Sequence, residues 1–89
     1  MLQIKKTKQF KKDFKKATKQ NKDLGELKTV INHLINLKAL DPKYEDHALS
    51  GSMKRLRDCH IEPDFLLLYR ADNTTLYLVR LGTHSELFR

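Results

Sequence analysis

The fold of this chain is decided by residues 57–81, whose sequence is RDCHIEPDFLLLYRADNTTLYLVRL. Runs of aliphatic, β-branched and aromatic residues in and beside this stretch predict three β-strands, at residues 55–61, 65–70 and 74–81. The polar residues 71–73 (ADN) separate the last two runs and are typical of a hairpin turn. Because the run at 65–70 is apolar on both faces, it is expected to be the central strand of a sheet.

The residues before this stretch predict a short strand followed by two amphipathic helices. Residues 2–7 alternate apolar and polar side chains, as a half-buried strand does. Thr7 is suited to cap a first helix, which carries apolar side chains at positions 10, 14 and 17 on one face. Asp23, followed by Glu26, resembles a capping box for a second helix that continues to about Lys38. Pro42 ends the helical region.

The order of these elements predicts the fold class. One strand, two helices and three strands, in that order, fit an α+β domain with a helical hairpin on one face of an antiparallel sheet of about four strands. A loop at residues 41–52 connects the helices to the last three strands, and a short tail covers residues 82–89. With 89 residues and no repeat or linker, the chain is expected to form a single domain over residues 1–89.

The composition favours a polyanionic partner. The formal net charge is +7, from 18 Lys and Arg against 11 Asp and Glu, which favours nucleic acid, an acidic protein or an anionic membrane surface. No apolar run approaches the roughly 18 residues of a membrane-spanning helix, and the first residues lack an apolar signal core, so no membrane partner is expected. Cys59 is the only cysteine, which excludes an internal disulfide and predicts a cytoplasmic protein.

The first predicted helix has a lysine face opposite its apolar stripe. This lysine face consists of Lys8, Lys11, Lys12, Lys15, Lys16 and Lys19. A solvated helix surface explains it as well as an electrostatic contact with RNA phosphates or with an acidic partner segment. Both interpretations stay open.

Residues that could take part in acid–base chemistry lie on the first of the three consecutive strands. The two-residue period of a strand places Asp58 and His60 on one face, while Cys59 and Ile61 take the core face. A carboxylate two residues from an imidazole can orient the ring and favour its charged form. This strand is therefore the predicted centre of a functional site.

Two further histidines and an arginine bracket this strand. His47 lies in the loop upstream, His84 follows the last strand, and Arg80 closes that strand on the same side as Leu76 and Leu78. Cleavage of RNA by transesterification needs a base for the 2′-hydroxyl, an acid for the departing 5′-oxygen and a cation for the charge on the phosphate. Histidine suits either proton role, and arginine supplies a permanent charge that matches phosphate oxygens.

Other kinds of site have less support in the sequence. The histidines are far apart, Cys59 and His60 point to opposite faces, and no HExxH or CxxC spacing exists, so no metal site is predicted. The only glycines are Gly25, Gly51 and Gly82, too few and too scattered for a phosphate-binding loop. Each histidine alone is more often a surface residue than a catalyst. A ribonuclease and a non-catalytic RNA-binding module therefore both stay open at this point.

Three blocks of the sequence resemble YafQ-type toxins of the RelE/ParE superfamily of bacterial toxin–antitoxin systems. The blocks are YEDHALSG at 44–51, RDCHIEPD at 57–64 and RLGTHSELF at 80–88, and the resemblance extends over the whole chain. It implies a RelE-like fold and an mRNA endoribonuclease that often acts on ribosome-bound message and is silenced by a cognate antitoxin protein. We predict neither a metal nor a small-molecule cofactor.

The same resemblance assigns roles to individual residues. The predicted catalytic set is His47, Asp58, His60, Asp64, Arg80 and His84. The predicted RNA-binding set is Phe88, from the resemblance, together with the basic residues Lys54 and Arg57. His84 is implied to be the leading proton-transfer residue, Arg80 the phosphate clamp and Phe88 the ring that positions a base. A ParE-like toxin that inhibits gyrase would share the fold, but it has no need of three proton-transfer groups.

Overall fold

The computed structural model describes residues 1–88, which form a five-stranded sheet with helices. Arg89, the last residue of the predicted tail and of the predicted domain, lies outside the described residues. The strands are β1 (Gln3–Lys6), β2 (His47–Ala48), β3 (Arg57–Glu62), β4 (Phe65–Ala71) and β5 (Thr75–Gly82). The helices are α1 (Lys8–Lys19), α2 (Leu24–Ile35) and α3 (His84–Leu87), with short 3₁₀ turns at Pro42–Tyr44 and Gly51–Met53. Within residues 1–88, no helix is long and apolar enough to cross a membrane.

The strands are ordered β1-β5-β4-β3-β2 across the sheet. The pairs β2–β3, β3–β4 and β4–β5 are antiparallel, and the predicted α+β class with a helical hairpin is confirmed. The pairing of β1 with β5 is parallel, so the sheet is mixed rather than wholly antiparallel. Alternating side chains predict that a strand exists but carry no information about its direction. That direction is set by the long connection between β1 and β5, which includes both long helices.

β4 is the central strand, as predicted. Leu66, Leu67 and Leu68 are fully buried, and burying a leucine side chain stabilises the fold by about 1.5–3 kcal/mol. Leu67 belongs to the apolar core shared with the two long helices. Because side chains alternate along a strand, Leu66 and Leu68 lie on the opposite face, in register with His60 and Asp58 of β3. This second face of the sheet is called the histidine face below.

α1 buries a carboxylate in its apolar stripe. Phe10 and Ala17 are almost fully buried and Asp13 is only 9% exposed, whereas Phe14 is 40% exposed. Positions 10, 13 and 17 follow the helical period, so the centre of the stripe passes through Asp13 and leaves Phe14 at its edge. The aspartate is therefore directed toward the sheet from within a helix that is otherwise rich in lysine.

The predicted N-caps of α1 and α2 are confirmed, but the capping box predicted for Asp23 and Glu26 is not completed, because the Asp23 N–H donates to Glu62 instead. The Thr7 side chain accepts a hydrogen bond from the Phe10 N–H at 2.9 Å, and the Asp23 side chain accepts one from the Glu26 N–H at 2.9 Å. α2 ends at Ile35, earlier than the predicted end near residue 38, because the chain turns into a left-handed conformation two residues later. Helix ends are the least well determined part of a periodic pattern.

Leu37 adopts a conformation that glycine would occupy with less strain. Its φ is 57°, its side chain is 74% exposed, and the Lys38 N–H donates to the His33 carbonyl at 2.9 Å around it. Since glycine has no Cβ, Leu37→Gly should raise the free energy of unfolding by about 1 kcal/mol, measured by urea denaturation. Asn21→Gly at the end of α1 (φ 56°) is the matched control. Its free energy of unfolding should rise by roughly 0.3 kcal/mol or less, because asparagine tolerates this conformation. A loss of stability in Leu37→Gly would contradict the argument.

Candidate active site

Three histidines from three different elements form a row on the histidine face. The ring centroid of His60 on β3 lies 6.0 Å from that of His47 on β2 and 5.5 Å from that of His84 on α3. The ring of Phe88 follows at the end of the row, 6.4 Å from His84. The fold therefore brings together four of the predicted site residues, which come from three separate segments of the sequence.

Asp58 lies between the first two rings of the row. The pairing of β2 with β3 places His47 opposite Asp58, and the alternation along β3 puts His60 on the same face, as predicted. One carboxylate oxygen, Oδ2, is 3.7 Å from Nε2 of each ring, which is an ion-pair distance rather than a hydrogen-bond distance. The other oxygen, Oδ1, is buried and accepts no hydrogen bond from residues 1–88. Asp58 therefore faces both imidazoles without a hydrogen bond to either of them.

Burial determines the direction in which the pKa of Asp58 is shifted. Burial raises this pKa, and attraction to the rings of His60, His47 and His84, where they are protonated, offsets only part of that rise. Asp58 therefore binds a proton at a higher pH than an exposed aspartate does.

Asp64, in the turn between β3 and β4, holds His84 in one orientation. Its Oδ1 accepts hydrogen bonds from the backbone N–H of His84 at 2.8 Å and from Nδ1 of the ring at 2.7 Å. These two bonds, the backbone bond first, hold the pKa of Asp64 below its usual value. Because an ionised carboxylate can only accept, Nδ1 carries a proton and Nε2 is left to exchange one with a substrate. His47 is held in a similar way, with Nδ1 2.6 Å from the Glu45 carbonyl oxygen.

α3 presents His84 from its first turn. Thr83 caps the helix by accepting from the Glu86 N–H, and the Glu86 side chain accepts in return from the Thr83 N–H at 2.8 Å. Lys16 of α1 forms an ion pair with the same glutamate. A Cβ at position 82 would lie 2.8 Å from Glu86 Oε1, so a larger residue there would displace the carboxylate that caps Thr83. The sequence predicts only a short tail here, because a helix of four residues is too short to show a period.

Arg80 is brought to the histidine face by a bulge in β5. Leu68 of β4 pairs with Arg80, and the next residue of β4 pairs with Leu78, so that β5 contains one extra residue between these pairs. The prediction that Arg80 shares a side with Leu76 and Leu78 is therefore wrong, because a bulge reverses the alternation that follows it. Through Leu68, Arg80 is in register with Asp58 two strands away, at a Cα separation of about 10 Å.

The guanidinium of Arg80 lies against Asp13 of α1. Its Nε donates to Oδ2 at 2.8 Å and its Nη2 donates to Oδ1 at 3.4 Å. β1 pairs with β5 only as far as Leu78, so the edge of β5 is open beside Arg80 and α1 reaches it there. The arginine side chain remains 32% exposed. That Arg80 binds a phosphate of the RNA stays a prediction.

The remaining residues of the predicted RNA-binding set lie at separate positions. Phe88 is 39% exposed at the end of α3, which leaves its ring accessible. Lys54 is exposed directly after the 3₁₀ turn Gly51–Met53. Arg57 lies on the core face of β3 and donates from Nε and Nη2 to Asp46, each at 3.2 Å. The contribution of Lys54 and Arg57 to RNA binding stays a prediction.

The sequence predicted neither Glu45 nor Asp13 as part of the site. Glu45 places Oε2 3.4 Å from Nδ1 of His60, and its backbone is left-handed, with a φ of 48°. No pattern in the sequence predicts this contact between Glu45 and His60. Asp13 does have a signal, since it is the one acidic residue of α1 and lies three residues after Phe10 in the buried stripe. A carboxylate on a buried stripe indicates a cationic or N–H partner across the interface.

The site does not present a ready set of metal ligands. Within residues 1–88, no group of three or more His, Cys, Asp or Glu side chains is arranged to hold a metal ion. The Nδ1 atoms of His84 and His47 are engaged by Asp64 and by a backbone carbonyl. The prediction that the reaction needs no metal stays a prediction. What the arrangement offers is proton transfer by imidazoles next to carboxylates and an arginine.

The fold and the site together define a small basic α+β protein of the RelE-like toxin class. The family model described as "Bacterial toxin of type II toxin-antitoxin system, YafQ" matches residues 2–89. The chain belongs to this YafQ toxin family, as the sequence blocks predict.

A curated relative matches most of the chain, and two solved structures share its fold. The mRNA interferase toxin YafQ of Escherichia coli strain K12 is 44% identical over 81 residues, which are 90% of this chain and 88% of the relative. YafQ in the E. coli DinJ–YafQ toxin–antitoxin complex is 42% identical with a TM-score of 0.91, covering 99% of this chain and 98% of that one. A metal-bound toxin from Helicobacter pylori is 48% identical with a TM-score of 0.92, covering 99% of this chain and 100% of that one.

Proposed function

We propose that the protein is an mRNA interferase, a toxin that cleaves messenger RNA in the bacterial cytoplasm and so inhibits translation. The observation that carries this proposal is the row of three imidazoles, with neighbouring ring centroids 5.5 Å and 6.0 Å apart, on a protein of net charge +7. Membership in the YafQ toxin family and 44% identity to an E. coli mRNA interferase support it. Residues 1–89 act as one domain.

The proposed reaction is a transesterification in which the histidines move two protons. The ribose 2′-oxygen attacks phosphorus, the bond to the 5′-oxygen breaks, and a 2′,3′-cyclic phosphate forms. One imidazole takes the proton of the 2′-hydroxyl and another gives a proton to the departing oxygen. His84 performs one of these steps, because Asp64 bonds its Nδ1 and leaves Nε2 for the substrate. His47 and His60 share the other step, and Asp58 balances their positive charge.

The RNA is held on both sides of the row. Arg80 stabilises the extra negative charge on the phosphate, since its charge is permanent and its planar fork matches two oxygens. Phe88 is exposed beside His84 and offers a ring on which an unpaired base stacks. Lys54 and Arg57 contribute positive charge along the RNA backbone.

Incubation of the purified protein with a defined RNA tests the proposal. We expect new RNA ends in the presence of EDTA, and the assay is run with and without ribosomes to establish whether cleavage depends on them. EDTA is included because a related H. pylori toxin is a metal-bound protein. A non-catalytic RNA-binding module would instead show salt-dependent affinity without new ends. That result, or cleavage that stops in EDTA, would overturn the proposed reaction.

The cognate antitoxin is the proposed protein partner, by analogy with the E. coli DinJ–YafQ complex. An apolar groove between α1 and α2 offers a surface for it. Phe14, Ile31 and Leu78 line this groove, and lysines border it at Lys6, Lys11 and Lys15. An antitoxin segment with apolar side chains on one side and acidic side chains on the other would match both features.

Charge reversal at the border of the groove should weaken the antitoxin complex. The double change Lys11→Glu and Lys15→Glu should raise the dissociation constant about tenfold at physiological salt, because two attractive contacts become repulsive. Isothermal titration calorimetry measures the effect. The double change Lys5→Glu and Lys38→Glu alters the net charge equally at exposed positions outside the groove, and it should change the constant by less than about threefold. Equal effects of the two pairs would mean that only net charge matters.

A further inference from the structure

We propose that Asp13 is a positioning residue for RNA cleavage, which fixes the guanidinium of Arg80 and the strand end that leads to His84. This inference rests on the proposed function of Arg80 as the group that binds the scissile phosphate. It concerns a residue of α1, a helix that supplies none of the predicted catalytic residues.

The burial of Asp13 is costly unless donors compensate for it. A carboxylate that is only 9% exposed loses most of its hydration. Four donors replace it: Arg80 Nε at 2.8 Å, Arg80 Nη2 at 3.4 Å, the Leu81 N–H at 2.9 Å and Gln9 Nε2 at 3.0 Å. Burial raises the pKa of Asp13, but the bonds from Arg80, Gln9 and Leu81 outweigh it and hold that pKa below its usual value. Asp13 is therefore an anion at neutral pH with its acceptor positions filled.

The position of Asp13 connects α1 to the segment that carries the site. β1 stops pairing with β5 at Leu78, which leaves the Leu81 N–H without a partner from β1. Asp13 accepts that N–H, and only Gly82 and Thr83 separate Leu81 from His84. An apolar side chain, such as those at positions 10 and 17 of the same stripe, would leave the Leu81 N–H and the Arg80 guanidinium without this acceptor.

The contact also decides which part of Arg80 faces a phosphate. A guanidinium has five N–H donors, and Asp13 takes the side formed by Nε and Nη2. The remaining donors on Nη1 and Nη2 stay available for phosphate oxygens. Because a long side chain loses rotamer freedom when it binds, an arginine that is already held binds its phosphate with less entropic cost.

If only electrostatics mattered, removing the Asp13 carboxylate would strengthen RNA binding. A carboxylate beside a phosphate-binding arginine reduces the local positive potential. Positioning predicts slower chemistry when the carboxylate is neutralised. The sign of the change therefore distinguishes the two explanations.

The test is Asp13→Asn in a cleavage assay on a defined RNA, alone and combined with Arg80→Ala. Asparagine keeps the size of the side chain and an oxygen for the Leu81 N–H. We expect kcat to fall about tenfold with KM within twofold, and no further loss when Arg80 is already alanine. Asp13→Glu, which keeps the charge but displaces it by one carbon, should also lower kcat, and it serves if the asparagine variant does not fold.

Asp72→Asn is the matched control at the other end of β5. Asp72 accepts the N–H groups of Thr74 at 2.9 Å and Thr75 at 2.8 Å, so it fixes the same strand without touching Arg80. Its removal should leave kcat per folded molecule unchanged. An equal loss of kcat in the control, an unchanged or raised kcat in Asp13→Asn, or independent effects of Asp13 and Arg80 would each overturn the proposal. A wild-type protein that makes no cuts would overturn the proposed function itself, which is a distinct outcome.

Discussion

His84→Ala should lower the rate of RNA cleavage by roughly 10²–10⁴-fold and relieve the growth arrest that we expect on expression of the wild-type protein. A positioned general acid or base contributes an effect of this size. The ring is tied to Asp64 through Nδ1, so its removal takes away the only histidine whose orientation is fixed by a carboxylate hydrogen bond among residues 1–88. The rate of appearance of new RNA ends, measured with enzyme in excess over RNA, checks the prediction.

The variant should remain folded, which makes the result interpretable. The His84 side chain is 53% exposed, and the loss of one hydrogen bond at such a site costs about 1 kcal/mol. His33→Ala is the matched control, because the His33 ring on α2 is also held through Nδ1, by the Thr29 carbonyl at 2.9 Å. It should keep the wild-type rate. Full toxicity and full cleavage by His84→Ala would remove this residue from the mechanism.

Arg80→Ala should lower kcat by roughly 10²–10³-fold, the usual effect of removing a group that stabilises charge in the transition state. Arg80 lies in register with Leu68 and Asp58, on the face that carries the histidines. The other positive side chains of the predicted RNA-binding set, Lys54 and Arg57, sit elsewhere, so no neighbour on β5 replaces the lost charge. Single-turnover kinetics on a defined RNA measure the change.

The loss of Arg80 also affects stability, and a control separates the two effects. Asp13 would be left buried with Leu81 and Gln9 as donors, which should cost about 1–3 kcal/mol in the free energy of unfolding. Activity is therefore compared per folded molecule, after urea denaturation of each variant. Arg70→Ala is the matched control, because Arg70 on β4 lies over the Tyr77 ring at 3.8 Å. If Arg80→Ala cleaves as fast as Arg70→Ala, the arginine has no role in the chemistry.

Much of the architecture follows from local patterns in the sequence. The apolar run at β4 predicts a strand buried on both faces, and Leu66, Leu67 and Leu68 are indeed fully buried. The caps at Thr7 and Asp23 depend on neighbours three residues away, so they are readable from the sequence. The shared face of Asp58 and His60 follows from the period of a strand. In the structure, His60 is the middle ring of the row and Asp58 lies beside it.

The features that the sequence did not predict depend on contacts between distant segments. The parallel direction of β1 is a property of the whole connection to β5. The bulge in β5 changes the face of Arg80, yet a bulge leaves no mark in a hydrophobic period. The partnership of Asp13 with Arg80 joins residues 67 positions apart. Family resemblance supplied the histidine set, and strand pairing together with α3 brings its three rings side by side.

The rings of the row are contacted by carboxylates of the same chain. Asp58 lies beside His47 and His60, Glu45 lies beside His60, and Asp64 bonds to His84. If the row carries the proposed reaction, a partner that covers or distorts it would inhibit cleavage, which is the role proposed for the antitoxin.

The chemical nature of the RNA ends tests the central claim most directly. The claim is that imidazoles transfer protons while the neighbouring 2′-hydroxyl attacks phosphorus. Cleavage of a defined RNA in EDTA should therefore leave a 2′,3′-cyclic phosphate on one fragment and a free 5′-hydroxyl on the other, identified by mass spectrometry. An RNA with a 2′-deoxy substitution at the cut position should resist cleavage. Fragments that end in a 3′-hydroxyl and a 5′-phosphate would contradict the account, because water rather than the ribose would then be the nucleophile.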